Sequence, residues 1–252
     1  LYSTAQESNI TNCRFEENYA HFTGASIHFR DSERSDSFQV RDCVFYRNFA
    51  RLQADGVCLG NPRLVGKTQV RISGCVFEKN RATGSIHSDQ FDNIVGRMEI
   101  CIDSCCFQEQ EFNGLNLGSQ LYFEIEDDDF SLNISNVKFQ KSTTASFTSI
   151  SAGLRQGKIV MKNILFENVA WTLTNLGQMA IDWENVVIKN CQSTTLAVGQ
   201  SATGERIIKN IFVHNNKEFI CLGFNQSNPL TITNGTFINN TILESVPFIR
   251  PE

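Results

Sequence analysis

The 252-residue chain is short of several things at once. It has only four Pro, two Trp and three Met. No run of 18 apolar residues occurs, which excludes a membrane-spanning helix of ordinary length. Basic residues are not in excess: 22 Lys and Arg face 27 Asp and Glu, a net charge of −5. A nucleic-acid-binding surface normally needs the opposite balance, so no nucleic-acid partner is expected. Charged residues amount to 19% and the hydrophobic set to 41%, which suits a packed chain rather than a disordered one. Leu1 opens the sequence and no secretory leader pattern follows it, so the chain reads as one domain, 1–252, cut from a longer protein.

What is present in excess is Phe, at 20 residues against four Tyr. Aligning the Phe residues exposes a repeat, and periods of this length point to stacked architectures. Asn12-Cys13-Arg14-Phe15 is followed by Asp42-Cys43-Val44-Phe45, Gly74-Cys75-Val76-Phe77 and Ser104-Cys105-Cys106-Phe107. Further copies begin at Asn136, Asn163, Asn185, Asn210 and Asn234. These nine first residues, here called anchors, are 30, 32, 30, 32, 27, 22, 25 and 24 residues apart.

Apolar residues occupy the position two before every anchor (Ile10, Val40, Ile72, Ile102, Ile134, Met161, Trp183, Ile208, Ile232). They also occupy the position three after it (Phe15, Phe45, Phe77, Phe107, Phe139, Phe166, Ile188, Val213, Phe237). Polar and apolar residues alternate on both sides, the pattern of a strand, but the phase slips at the anchor. Asn, Asp and Gly tolerate left-handed backbone, so the anchor is expected to be a corner between two strands. A third strand-like run follows about ten residues later, as in Ala25–Phe29, Gly56–Leu59 and Leu115–Leu117. Three short strands per repeat predict an all-β, right-handed parallel β-helix of about nine coils. At about 4.8 Å per coil it would be a rod roughly 40 Å long.

Other columns read as structure. Position +1 carries Cys13, Cys43, Cys75 and Cys105, a line of thiols down one wall and not a tetrahedral metal set. Nine cysteines is an odd number, and free thiols are expected, with Cys101 to Cys105 or Cys106 left open as a bridge. Position +6 carries Asn18, Asn48 and Asn80, then Gln110 and Ser142, and later Asn216 and Asn240, an expected amide ladder between coils.

The tetrapeptides Phe15–Asn18, Phe45–Asn48, Phe77–Asn80 and Phe237–Asn240 resemble one of the two repeat motifs of polymorphic outer-membrane-protein-type β-helices. Traces of that family's second motif stand at Gly24-Ala25-Ser26-Ile27 and Gly84-Ser85-Ile86. The resemblance implies a pectin-lyase-like right-handed β-helix used for adhesion or surface display, and hence a cell-surface or secreted location. Transport and anchoring are not carried over, because the 252 residues contain neither the family's long leading segment nor its membrane barrel.

The candidate sites follow from which rows face outward. Row +2 (Arg14, Val44, Val76, Cys106, Lys138, Leu165, Val187, Phe212, Thr236) should point away from the core, yet it is mostly apolar. Exposed apolar continuity marks protein contacts, so Val44, Val76, Leu165, Val187 and Phe212 are the candidate interface, for a protein partner or a second copy. The open coil ends offer a second route to assembly. The loops 30–37, 60–69, 88–97 and 118–130 are long enough to cover part of the stripe in the first half.

Asp182 and Glu184 are the candidate general acid–base pair should the chain be a polysaccharide lyase or hydrolase. No polygalacturonase-type motif accompanies them, and the expectation is a non-enzymatic scaffold without a cofactor. The acidic run that includes Asp127, Asp128 and Asp129 is the candidate calcium site, though it lacks the alternating ligands of an EF-hand. His28 and His87 are the one histidine pair that could share a face. Among five N-x-S/T sequons, Asn9 and Asn133 are the best-placed glycan acceptors. Free thiols lean instead toward a reducing compartment, and so toward a cytoplasmic, filament-associated scaffold as the alternative.

Overall fold

A computed structural model describes residues 1–3, 7–21, 24–29, 37–51, 54–59, 65–81, 84–91, 95–111, 119–125, 130–143, 145–148, 157–172, 180–197, 205–222 and 230–241. Among them there are strands and turns but no helix. The strands pair in parallel throughout, each with its equivalents in the neighbouring repeats. One sheet holds nine strands, Tyr2–Ser3, Ile27–Phe29, Ala54–Leu59, Gly84–Phe91, Ser119–Ile125, Ala145–Thr148, Trp171–Thr172, Ser193–Ala197 and Glu218–Leu222. A second, branched sheet holds the strands before and after the anchors. A small third sheet pairs Tyr19–Ala20 with Phe49–Ala50.

The anchor is a corner in every repeat. Asn12, Asp42, Gly74, Ser104, Asn136, Asn163, Asn185, Asn210 and Asn234 all have φ between 53° and 63°. Six of the nine are Asn, whose short polar side chain makes this region accessible. Gly74 is required for a second reason: a Cβ there would collide with Oδ1 of Asp42 in the preceding repeat. In repeats six to eight the strand hydrogen bonding carries on through the corner, giving the long strands Gly157–Glu167, Ala180–Lys189 and Arg206–His214.

A second left-handed corner lies five residues after each anchor, at Glu17, Arg47, Lys79, Glu109, Lys141, Asn168, Asn190, Asn215 and Asn239. The sequence concealed it, because five of these nine are charged residues that rarely adopt positive φ. Between the corners, register is strict. The +2 to +4 strands match residue for residue from Arg14↔Val44 to Phe212↔Thr236.

In-register parallel stacking sets each side chain on its equivalents, so the core is built of rows. Phe15, Phe45, Phe77, Phe107, Phe139 and Phe166 form one stack with ring centroids 4.6–5.1 Å apart. Ile188 and Val213 continue it, both fully buried. Cys43, Cys75 and Cys105 line the neighbouring row, each thiol donating to a nearby backbone carbonyl. The +6 amides form the expected ladder. Asn48 Oδ1 accepts from the N–H and Nδ2 of Asn18, and Asn80 Oδ1 accepts in the same way from Asn48. The Nδ2 groups of Asn48 and Asn80 reach back to the carbonyls of Phe15 and Phe45.

In three of the stretches read as long loops, 60–69, 88–97 and 118–130, the described residues are strand. Val65–Ser73 and Val95–Asp103 pair over nine residues from Val65↔Val95 onward, and Gly84–Phe91 and Ser119–Ile125 extend the nine-stranded sheet. Val65 and Val95 each stand nine residues before their own anchor, so the two segments add to the sheet in register, which the polar composition did not signal. The expected third strand of repeat four, Leu115–Leu117, lies outside the described residues; the strand described there is Ser119–Ile125.

Candidate functional site

Alternation places +1 and +3 inward, so +2 must face out. The structure aligns Val44, Val76 and Cys106 in one run, and Leu165, Val187 and Phe212 in another. All six side chains are half-buried, while Arg14, Lys138 and Thr236, which interrupt or end the row, are exposed. Lys138 therefore divides the stripe into two patches.

Each patch has a polar border. Beside the second patch runs a ladder of exposed anchor amides, in which Asn163 donates to Asn136, Asn185 to Asn163, Asn210 to Asn185 and Asn234 to Asn210, at 2.9–3.1 Å. On its other side Glu167 accepts from Gln140 at 2.9 Å and pairs with Lys189 at 2.8 Å. The Lys189 hydrogen bond holds the Glu167 carboxyl below its ordinary value, against a smaller opposing effect of burial. Phe212 also meets the His214 ring at 5.7 Å. The first patch is bordered by a cationic cluster over the Tyr46 ring, with Arg14, Arg47 and Lys79 within 5.0–5.8 Å of its centroid. An apolar centre inside a polar rim is the usual anatomy of a protein contact.

The other candidates are placed as follows. Asp182 and Glu184 stand two residues apart on the outward face of the strand Ala180–Lys189. Asp182 is bound to Lys158 at 3.1 Å and Glu184 to Lys162 at 3.5 Å, so each carboxylate has a lysine partner in the preceding repeat. Asp103, three repeats earlier, is held by other groups. Burial works against its charge, but hydrogen bonds from Ser135, Asn136 and Ser104 outweigh it and keep the carboxyl below its ordinary value.

Asp127, Asp128 and Asp129 lie outside the described residues. Among the described residues no group of three or more His, Cys, Asp or Glu converges as a metal site. His87 is buried in the nine-stranded sheet and His28 half-buried. Cys13, Cys43, Cys58, Cys75, Cys101, Cys105, Cys106 and Cys191 are free thiols, so neither bridge left open for Cys101 forms. Burial pushes the Cys43 and Cys191 thiols up to about 11. Asn9 is exposed, whereas Asn133 is half-buried with Nδ2 donating to the Ser131 hydroxyl at 3.2 Å.

One feature escaped the sequence reading. A groove of about 520 Å³ runs along the second corners of repeats five to eight, lined by Lys141, Ser142, Asn168, Asn190, Gln192 and Lys217 among others. Its residues sit five to seven after the anchors, so carrying the repeat alignment past +6 would have gathered them.

No protein-family model, characterised protein or solved structure matches the chain. No helix of the described residues is long and apolar enough to cross a membrane.

Proposed function

We propose that the chain is a right-handed parallel β-helix of nine coils, acting as a rigid, non-enzymatic structural or adhesion module. Equivalent strands pair in parallel with the next repeat along the whole chain, which supports the coil reading. A single coil cannot bury its own apolar face, so such a rod is stable only as a stack. Its resemblance to polymorphic outer-membrane-protein-type repeats favours a place at a cell surface or in an extracellular assembly.

The observation that carries the functional reading is the register of Leu165, Val187 and Phe212 between two polar rows. Its three side chains are half-buried and contiguous, which suits a protein face laid against them. Phe212→Asp and Leu165→Asp are expected to abolish side-by-side association in sedimentation velocity with little change in melting temperature. Association unchanged in both variants overturns the stripe reading.

The alternative of a polysaccharide lyase or hydrolase rests on Asp182 and Glu184, whose lysine partners leave them as paired surface charges. An intracellular, filament-associated scaffold has one observation in its favour, the free thiols. Intact mass separates the two locations. Glycan mass on Asn9 or Asn133 supports the surface module, and a bare polypeptide with nine alkylatable thiols supports the intracellular one.

A further inference from the structure

The outer face of repeats five to eight consists of three straight rows. The exposed anchor asparagines, from Asn136 to Asn210, form one edge. Lys138, Leu165, Val187 and Phe212 run down the middle, and Gln140, Glu167, Lys189 and His214 form the other edge. Each row has bonding capacity to spare. Asn163 and Asn185 each give one N–H and take one along the ladder, at 2.9–3.0 Å. Every such amide therefore keeps a second N–H and a second lone pair. Lys189 directs one of its three N–H groups to Glu167 at 2.8 Å and keeps two. Lys138 is exposed and has no ion pair among the described residues, although it stands in an otherwise apolar row.

Strict register leaves few ways for two such faces to meet. A two-fold axis parallel to the strands lays anchors on anchors and stripe on stripe, while reversing the order of the repeats. Centred on repeat six, it sets Glu167 on the partner's Glu167, and centred on repeat seven, Lys189 on the partner's Lys189. Centred between them, it opposes unlike charges twice: Glu167 meets the partner's Lys189, and Lys189 the partner's Glu167. The same rotation sets Leu165 on the partner's Val187 and Lys138 on the partner's Phe212. A two-fold axis along the stack would instead bring Lys138 onto the partner's Lys138. One register therefore satisfies charge, apolar contact and amides together.

We infer that the partner of the stripe is a second copy of this chain, laid antiparallel about a two-fold axis between repeats six and seven. The inference rests on the stripe being a contact face, as proposed above, and adds its occupant and register. Lys138 then has a role: its ammonium lies over the partner's Phe212 ring, a cation on an aromatic face. The spare N–H and lone pair of each anchor amide meet those of the partner's ladder, since an amide row is complementary to itself. Such a contact is isologous and closes on itself, giving a dimer and not a filament. Repeats four to nine overlap over roughly 29 Å by 17 Å, or about 1,000 Å² counted on both copies. That is near the lower limit for a specific contact, so the dimer is expected to be weak and reversible.

The test is sedimentation velocity of the full 252-residue chain, its single variants and their mixtures. Glu167→Lys and Lys189→Glu each bring like charges together twice per dimer and are expected to weaken association at least about tenfold. Both positions are at the surface, so the melting temperature should hardly move. Mixed in equal amounts, the two variants carry opposite charges at both contacts. The mixture is expected to regain association close to that of the wild type, as a dimer with one copy of each. Reversals at Lys158 and Asp182, a pair at 3.1 Å on the far side of the anchors, should change nothing alone or mixed. That control separates the register from a general attraction between unlike charges. A wild-type chain monomeric up to millimolar concentration, or a mixture no stronger than its components, overturns the inference. Should the mixture fail while Phe212→Asp and Leu165→Asp still abolish association, the stripe stands and this register alone falls.

Discussion

In the first five repeats the second corner is made by Glu17, Arg47, Lys79, Glu109 and Lys141, and in the last four by Asn168, Asn190, Asn215 and Asn239. The residue after each corner differs too. It is Asn18, Asn48, Asn80, Gln110 and Ser142 in the first group, whereas repeats six and seven have Val169 and Cys191 there, both buried. Where the corner residue is a poor left-handed former, the buried side chain beside it is polar and bonds to the neighbouring repeats. Asn80, for example, receives two hydrogen bonds from Asn48 and gives one to the Phe45 carbonyl. Where the corner is Asn, the conformation is accessible locally and that position is free to become apolar. In repeats six and seven the same turn is thus held by its own residue alone, while repeats eight and nine, with Asn216 and Asn240 after the corners Asn215 and Asn239, keep the buried amide as well.

The anchor corners show a complementary trend. Asn12, Asp42, Gly74 and Ser104 form no continuous chain of side-chain bonds, while Asn136 to Asn234 are linked in an exposed ladder. The first half keeps its amide ladder in the interior, whereas the second half adds an exposed ladder to the buried bonds of Asn216 and Asn240. A buried bond left half-made costs the desolvation of its partner, whereas an exposed one is replaced by water.

Asn80→Ala should therefore be the most damaging change. It leaves the Asn48 N–H without its acceptor and takes one hydrogen bond each from the Asn48 Nδ2 and the Phe45 carbonyl, and a loss of about 3 kcal/mol is expected in urea unfolding. Asn185→Ala in the exposed ladder should cost about 1–2 kcal/mol, the price of Ala at positive φ. Equal losses at the two positions would erase the distinction between the halves.

The second prediction concerns Asp55, a buried carboxyl in the first half. Burial pushes it well above its ordinary value. The folded-state value exceeds the unfolded one, so its contribution to stability is complete below about pH 4 and declines as pH rises through the folded-state value. Asp55→Asn is expected to flatten that decline and to raise the melting temperature at neutral pH. A variant with an unchanged pH profile would count against a neutral Asp55. The smallest effect is a gain: Lys79→Asn, with φ at 54°, should stabilise the chain by about 0.5–1 kcal/mol. The reciprocal Asn190→Lys should lose a similar amount, and a Lys79→Asn variant that is less stable would show that the Lys79–Glu109 contact at 3.4 Å matters more than the backbone.

Much of this architecture was legible because like residues recur on like positions. The anchor corners and the Phe, Cys and amide rows could be read from spacing alone, since the period-2 phase slips at one place per repeat. The second corner could not, because Glu17 or Lys79 at positive φ is a tertiary demand without local sequence preference. The strands within 60–69, 88–97 and 118–130 were hidden for a similar reason: parallel pairing over Val65↔Val95 requires matched length in two repeats, which no single segment reveals. At the candidate face, the apolar row was visible in the sequence. Its division at Lys138 into two patches was visible in the same row, and the anchor asparagines stood in one column; only coordinates show Asn185 donating to Asn163 and Asn210 to Asn185 as a border beside the patch.

Repeat lengths vary from 22 to 32 residues, yet the eleven residues from four before to six after each anchor never change in number. Register holds across all eight junctions, from Ser8↔Phe38 to Arg206↔Leu230. All of the variation falls after the second corner. A segment gained or lost there, such as one grafted between Thr148 and Gly157, leaves every neighbouring row in step. Such a chain can acquire new surface, by evolution or by engineering, one insertion at a time and without renegotiating its interior.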